Sequence, residues 1–240
     1  MSRVTKKQRR QMRQEGLMKG NSLTVNPIDL KTDAQREATL YWKDQYNLSL
    51  LGMPGTGKTF LSFFFALTEV LQGFGEYRKV VIVRSTVPTR DVGFLKGYLN
   101  EKTAVYEAPY SKICTELVGR GDAYQILKQK GVVEFMPTAF IRGITLDNTI
   151  VIVDECQNMS PMELHSIMTR LGKNSRIIFS GDTGQDDLTS ERYNEESGLR
   201  SFMKILYRMD EFRHVDFKAE DIVRSGLVKS YIIQRDKLGM

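Results

Sequence analysis

Eight consecutive residues, Gly52-Met53-Pro54-Gly55-Thr56-Gly57-Lys58-Thr59, follow the pattern G-x-x-x-x-G-K-[ST]. Glycines at such spacing let backbone N–H groups converge on an anion, and the N-terminal end of a following helix adds positive potential. The lysine then reaches the β- and γ-phosphates of a nucleoside triphosphate, and the threonine hydroxyl coordinates Mg²⁺. An apolar strand pattern, Leu48-Ser49-Leu50-Leu51, leads in, and an apolar helical pattern from Phe60 leads out. That strand–loop–helix context is what the motif requires. A plain glycine-rich turn would account for the glycines but not for Lys-Thr at this offset.

Two more apolar runs end in groups suited to the same chemistry. Ile150-Val151-Ile152-Val153 stops at Asp154-Glu155. In a parallel sheet the carboxyl ends of the strands form the ligand crevice. There Asp154 would hold Mg²⁺ through water, and Glu155 would orient or deprotonate an attacking water. The plainer alternative is a pair of acids capping the loop before a helix. Ile177-Ile178-Phe179 leads into Ser180-Gly181-Asp182-Thr183-Gly184-Gln185. Gln185 at that tip would sense the γ-phosphate or position water, or else belongs to a polar turn.

These groups need a scaffold that brings strand ends together. Candidate strands are 47–51, 79–84, 132–135, 149–153, 176–180 and 214–217. Candidate helices are 34–46, 58–72, 123–129, 161–171 and 199–207. Strands apolar at nearly every position are buried on both faces, and alternating βα order with such strands predicts a parallel sheet covered by helices on both sides. Ser160-Pro161 followed by Glu163 marks a helix start by the capping-box pattern. The polar stretches 86–108 and 181–196 are expected to be long functional loops.

Composition narrows the class. Hydrophobic residues make up 41% and charged residues 27% of the 240, which excludes a disordered or fibrous chain. No apolar stretch approaches the roughly 18 residues that span a bilayer. No apolar stretch follows the basic start, so neither a membrane segment nor a secretory signal is expected. Two cysteines and two histidines give no disulfide framework and no metal cluster, and the expected setting is the cytoplasm. Residues 1–20 carry seven basic groups against Glu15, which is the whole of the formal +6. The other 220 residues balance at 28 of each sign. This tail is either a phosphate-seeking arm or a solvated, disordered start.

Taken together, the Gly-Lys-Thr, Asp154-Glu155-Cys156-Gln157-Asn158 and Gly181-Asp182-Thr183-Gly184-Gln185 motifs resemble motifs I, II and III of superfamily 1 helicases. More narrowly, the chain resembles the PhoH-like ATPases, with matching motifs in order over about residues 25–235. The matches include Arg142-Gly143-Ile144-Thr145-Leu146, Asp187-Leu188, Ser197-Gly198-Leu199 and Asp221-Ile222-Val223-Arg224. The resemblance implies a three-layer α/β, RecA-like P-loop NTPase fold with a mostly parallel sheet. It implies one such domain over 21–240 behind a 1–20 tail, and ATP and Mg²⁺ as cofactors.

It also implies residue roles. Gln35 would read the adenine edge, against the alternative of a surface helix glutamine. Gln185 would be the γ-phosphate sensor. Arg224 would act as an arginine finger, against that of a surface arginine paired with Asp221 or Glu220. Arg84 and Arg90, in the place of helicase motif Ia, would touch a nucleic-acid backbone or a neighbouring subunit, or remain solvated. Two departures stand out: Cys156 replaces an alanine, and Ser225-Gly226 replaces His-Pro.

The chain has length for one RecA-like domain only, so the resemblance implies a homo-oligomer, a hexameric ring, with Arg224 acting in trans. RNA or single-stranded DNA is the implied partner, and the short chain would suit a bacteriophage. A nucleotide-dependent switch or assembly factor with slow hydrolysis and a protein partner is the alternative, and a small-molecule kinase a weaker one.

Overall fold

In a computed structural model the described residues are 23–73, 75–86, 99–182 and 198–238, with side chains from 104 onward in the third stretch. Six strands form one sheet: β1 (Asn47–Gly52), β2 (Lys79–Arg84), β3 (Val133–Pro137), β4 (Thr149–Asp154), β5 (Arg176–Gly181) and β6 (Phe212–Phe217). Their order is β3-β2-β4-β5-β1-β6, and every pairing is parallel. The helices are α1 (Asp33–Lys43), α2 (Lys58–Gln72), α3 (Leu99–Val118), α4 (Ala123–Gln129), α5 (Pro161–Met168), α6 (Gly198–Leu206) and α7 (Gly226–Lys237).

The period-two geometry of the strands sorts the core into two sheets of side chains. Leu48, Leu50, Val80, Ile82, Ile150, Ile152 and Ile178 pack with Ala38, Phe63, Ala66, Leu67, Tyr110 and Leu127 from α1 to α4. Leu51, Val81, Val83, Val151, Val153, Ile177 and Phe179 pack instead with Leu164, Ile167, Phe202, Met203 and Leu206 of α5 and α6. Three layers result, as the continuous apolar strands predict. This is the RecA-like P-loop architecture.

Strand register places the chemistry. Asp154 pairs with Ser180, and Leu51 pairs with Gly181, so the ends of β1, β5 and β4 lie side by side with β5 between the other two. At the opposite end Arg176 donates to the carbonyls of Trp42 (2.8 Å) and Tyr46 (2.7 Å) and pairs with Glu69 at 2.9 Å, tying β5 to α1 and α2. Helix starts follow local chemistry. Thr32 caps α1, and at α5 the Ser160 and Glu163 side chains close the capping box with Pro161 in the first turn.

Two helices depart from the sequence expectations. The segment 99–108, expected to be loop, is the first half of α3, despite Pro109 within it. The final helix, α7, has no buried residue and hence no apolar period to betray it. Gln185, Arg90, Asp187, Leu188, Ser197 and the 1–20 tail lie outside the described residues. Among the described residues no helix is long and apolar enough to cross a membrane.

Candidate functional site

A cleft of about 960 Å³ opens at the carboxyl ends of the strands. Its floor is the Gly52–Thr59 loop, whose Gly52, Gly55 and Gly57 have φ of 122°, 75° and 88°. Gly52 is obligatory: a Cβ there would stand 2.1 Å from the Phe217 carbonyl oxygen. The loop is pinned from outside at three points. Met53 N–H donates to Phe217 O (2.7 Å), Val223 N–H donates to Gly55 O (3.1 Å), and the Gln35 amide donates to Thr56 O (3.0 Å). A trans peptide unit points its N–H opposite its C=O. With the Gly55 and Thr56 carbonyls turned to Val223 and Gln35, the N–H groups of Thr56 and Gly57 face away from those partners, as an anion cradle requires. Pro54, with Gly55 and Gly57, lines the cleft.

Lys58 is nearly buried, at 8% exposure. Its ammonium donates to Met53 O (2.6 Å), Gly52 O (3.1 Å) and Asp182 Oδ1 (3.1 Å). Thr59 donates its hydroxyl to Asp154 Oδ1 at 2.8 Å. Asp154 is 3% exposed. Burial, then the neighbouring Glu155, push its carboxyl above the ordinary value, while the hydroxyls of Thr59 and Tyr110 and the Arg84 guanidinium pull it back. Burial also raises the Asp182 carboxyl, against the pull of Lys58.

Glu155 sits in the left-handed region, φ 53°, a conformation uncommon for a residue with a side chain. It follows the last residue of β4 and opens the turn 156–158. Its Oε2 accepts from the Gln157 amide at 2.7 Å, and Gln157 Oε1 in turn accepts from the Asp182 N–H at 3.0 Å. Gln157 is 1% exposed, so one buried amide ties the ends of β4 and β5 together. Gly181 is needed for this approach: its Cβ would meet Cys156 Sγ at 2.6 Å and Gln157 Oε1 at 2.8 Å. Cys156 is simply buried there, acting as a small apolar group.

The remaining expected residues fall as follows. Gln35 is 7% exposed and is no surface glutamine. Its Oε1 accepts from Lys31 N–H (2.8 Å) while its Nε2 holds Thr56 O. Among the described residues one donor and one acceptor position of the amide are left over. Arg224 is exposed, and its Cγ lies 2.8 Å from where a Gly55 Cβ would stand, so its stem borders the cleft of its own chain. The Asp221 carboxylate turns instead to Lys218 N–H. Arg84 is half-buried. Burial works against its charge, but Tyr110, Asp154 and Glu155 outweigh it and hold its pKa above the ordinary value. It is no freely solvated loop charge.

Three residues at the site were given no role from sequence: Asp182, Gln157 and Tyr110. The first two lie within quoted motifs, and spacing two beyond Glu155 was the available signal for Gln157. Among the described residues no three His, Cys, Asp or Glu side chains gather as a metal cluster. The Thr59 hydroxyl and Asp154 carboxylate are a hard-oxygen pair of the kind that could hold Mg²⁺.

Comparison with known proteins agrees with this geometry. The chain is 34% identical to a PhoH-like protein of Bacillus subtilis over 220 residues, covering 91% of this chain and 66% of the relative. It is 30% identical to the protein PhoH of Escherichia coli over 212 residues, covering 88% and 58%. It thus spans about half to two thirds of the length of the curated relatives it matches. Among solved structures, the large terminase of a thermophilic bacteriophage superposes with a TM-score of 0.52 at 14% identity, over 86% of this chain and 50% of that one. The family profile described as PhoH-like protein matches residues 27–234, the stretch that carries both the loop and the carboxylate pair, and the chain belongs to that family.

Proposed function

We propose that the protein is a Mg²⁺-dependent ATPase whose turnover is coupled to RNA or single-stranded DNA. The observation that carries the reading is the 2.8 Å contact of Thr59 with Asp154, beside a Glu155 whose backbone is left-handed and whose carboxylate accepts from Gln157. The loop N–H groups and Lys58 receive the phosphates. To do so the Lys58 ammonium exchanges Asp182 for phosphate oxygens, which makes the β5 end a place where nucleotide arrival is felt. Thr59 and Asp154 would hold Mg²⁺, which would supply charge neutralisation to the triphosphate. Glu155 accepts the proton of the attacking water, water oxygen bonds to the γ-phosphorus, and ADP leaves with the bridging oxygen.

Arg224 is assigned the arginine-finger role, and its stem at its own chain's cleft favours action in cis over the trans arrangement that the resemblance implies. Gln185 is assigned the γ-phosphate sensing role. Gln35 braces the loop through Thr56 and keeps one donor and one acceptor for adenine. The basic tail, and its multiplication in a homo-oligomer, supply the electrostatic grip on a phosphate backbone.

The test is Glu155→Gln with phosphate release and ATP binding measured together. Binding is expected to persist while turnover falls by about 10²–10⁴. Retained turnover refutes the base. In the parent protein, salt-sensitive stimulation by RNA or single-stranded DNA is expected, and its absence favours a nucleotide switch.

A further inference from the structure

Behind the metal-holding carboxylate stands a side chain that no motif names. Tyr110, midway along α3, is fully buried. Its ring stacks on Phe63 of α2, with centroids 5.3 Å apart and planes at 15°. Its hydroxyl donates to Asp154 Oδ2 at 2.8 Å, while Asp154 Oδ1 accepts from Thr59. Each carboxylate oxygen therefore has its own hydroxyl donor, and the two together fix the plane of the group. Burial and the Asp154 charge push the Tyr110 hydroxyl well above its ordinary value, so it stays a donor.

Arg84 ends β2, the strand paired with β4, and its charge is held by the pull of Tyr110 and Asp154. The Arg84 guanidinium also stands over the Tyr106 ring at 5.9 Å, and the Tyr106 hydroxyl donates to Thr86 O at 3.2 Å. One turn of α3 thus grips the chain leaving β2, and the next turn grips Asp154.

We propose that Tyr110, backed by Arg84, is a positioning residue for the metal site. It aims Asp154 so that Oδ1 stays at the Thr59 hydroxyl, where Mg²⁺ and the triphosphate meet. This rests on the reading of Thr59 and Asp154 as the metal-holding pair. The physical reason is general: a carboxylate ligand turned by thermal motion spends less time in the coordinating orientation, and donors behind such ligands are worth about 10–100-fold in metal affinity. A buried, charge-assisted bond from a rigid aromatic ring is a strong form of that restraint. The stack on Phe63 adds registration, because Phe63 lies one helical turn beyond Thr59. The platform that holds Tyr110 and the hydroxyl it must match therefore ride on the same helix.

The experiment measures affinity for the β,γ-imido analogue of ATP by calorimetry, in Mg²⁺ and in EDTA, with melting curves alongside. Tyr110→Phe keeps the ring stack and removes only the hydroxyl. Its affinity in EDTA is expected to match the parent's, while the gain conferred by Mg²⁺ falls about tenfold. Tyr124→Phe is the control. It removes another buried tyrosine hydroxyl, one that donates to Glu107 of α3 at 2.7 Å and lies away from Asp154, and it is expected to leave the Mg²⁺ gain intact. Arg84→Gln, which leaves the stack untouched, is expected to lose part of the gain.

A full Mg²⁺ gain in both Tyr110→Phe and Arg84→Gln overturns the proposal, as does an equal loss in Tyr124→Phe. If the parent itself gains nothing from Mg²⁺, the metal-holding pair is wrong and the proposal falls with it. A parent gain that survives in the variants sinks the positioning role alone.

Discussion

Asp154→Asn is expected to stabilise the metal-free protein at neutral pH while abolishing the effect of Mg²⁺ on nucleotide affinity. The carboxylate is 3% exposed, and burial, then Glu155, raise its pKa from an unfolded value of 3.8. A carboxyl raised on folding is penalised when ionised. The penalty is absent below 3.8, grows as pH rises from there, and is complete once pH exceeds the folded value. Asparagine removes it without leaving an orphaned group. The two hydroxyls, each at 2.8 Å, can turn, one donating to the amide oxygen and the other accepting from the amide nitrogen.

Lost attraction to Arg84 and lost charge assistance in the two hydrogen bonds offset part of the gain. A net increase of about 1–2 kcal/mol is expected, typical of relieving a site built for function. For a chain of this length each kcal/mol moves the melting point by about 2–4 °C, so the rise is about 2–8 °C. The assay is thermal melting of parent and variant in EDTA from pH 8 down to about pH 4, close to the unfolded value of 3.8. The difference should shrink toward acid. A lower melting point for the variant at neutral pH, or a difference that ignores pH, refutes the claim that ionised Asp154 is a cost to the empty fold.

Two further outcomes follow from the cradle. Gly52→Ala drives a methyl to 2.1 Å from Phe217 O at a φ of 122°, so the Met53–Phe217 bond must break. A loss of about 2–3 kcal/mol in urea unfolding is expected, and a loss under about 0.5 kcal/mol would show the loop is not anchored on β6. Gln35→Ala frees Thr56 O and should weaken ATP and GTP both by about tenfold, a hydrogen bond's worth, with a further loss for ATP alone from the adenine contact. A loss confined to ATP would show that base reading outweighs bracing.

The sheet was legible because burial on both faces leaves no choice of residue. Val80–Val83, Ile150–Val153 and Ile177–Phe179 are all fully buried, and the strand ends expected from sequence fall within two residues of those found. The α5 start was legible for a local reason, since Ser160, Pro161 and Glu163 act within one turn. Helix α3 was not. Its buried face, Glu107, Tyr110, Cys114 and Leu117, has helical spacing but includes an acid that hides by bonding Tyr124 and pairing with Lys128. Pro109 in the middle weakens the pattern further.

The same division runs through the site. Groups that touch phosphate are legible because a polyphosphate imposes fixed spacing on one continuous segment, which is why 52–59 stands out. Groups that hold those residues still come from wherever the fold supplies them. Thr56 is braced by Gln35, 21 residues away, Asp154 by Tyr110, 44 away, and Lys58 by Asp182, 124 away. No spacing rule relates such pairs, since each distance is set by a different stretch of intervening helices and strands. Arg84 shows the cost of reading without that geometry. In sequence it ends the 79–84 run just before a polar stretch, where a nucleic-acid backbone, a neighbouring subunit and solvent are all open to it, yet strand order sets β2 against β4 and brings its charge under the pull of Asp154. A charge at a strand end in a parallel sheet is therefore better read against the neighbouring strand's last residue than against its own loop.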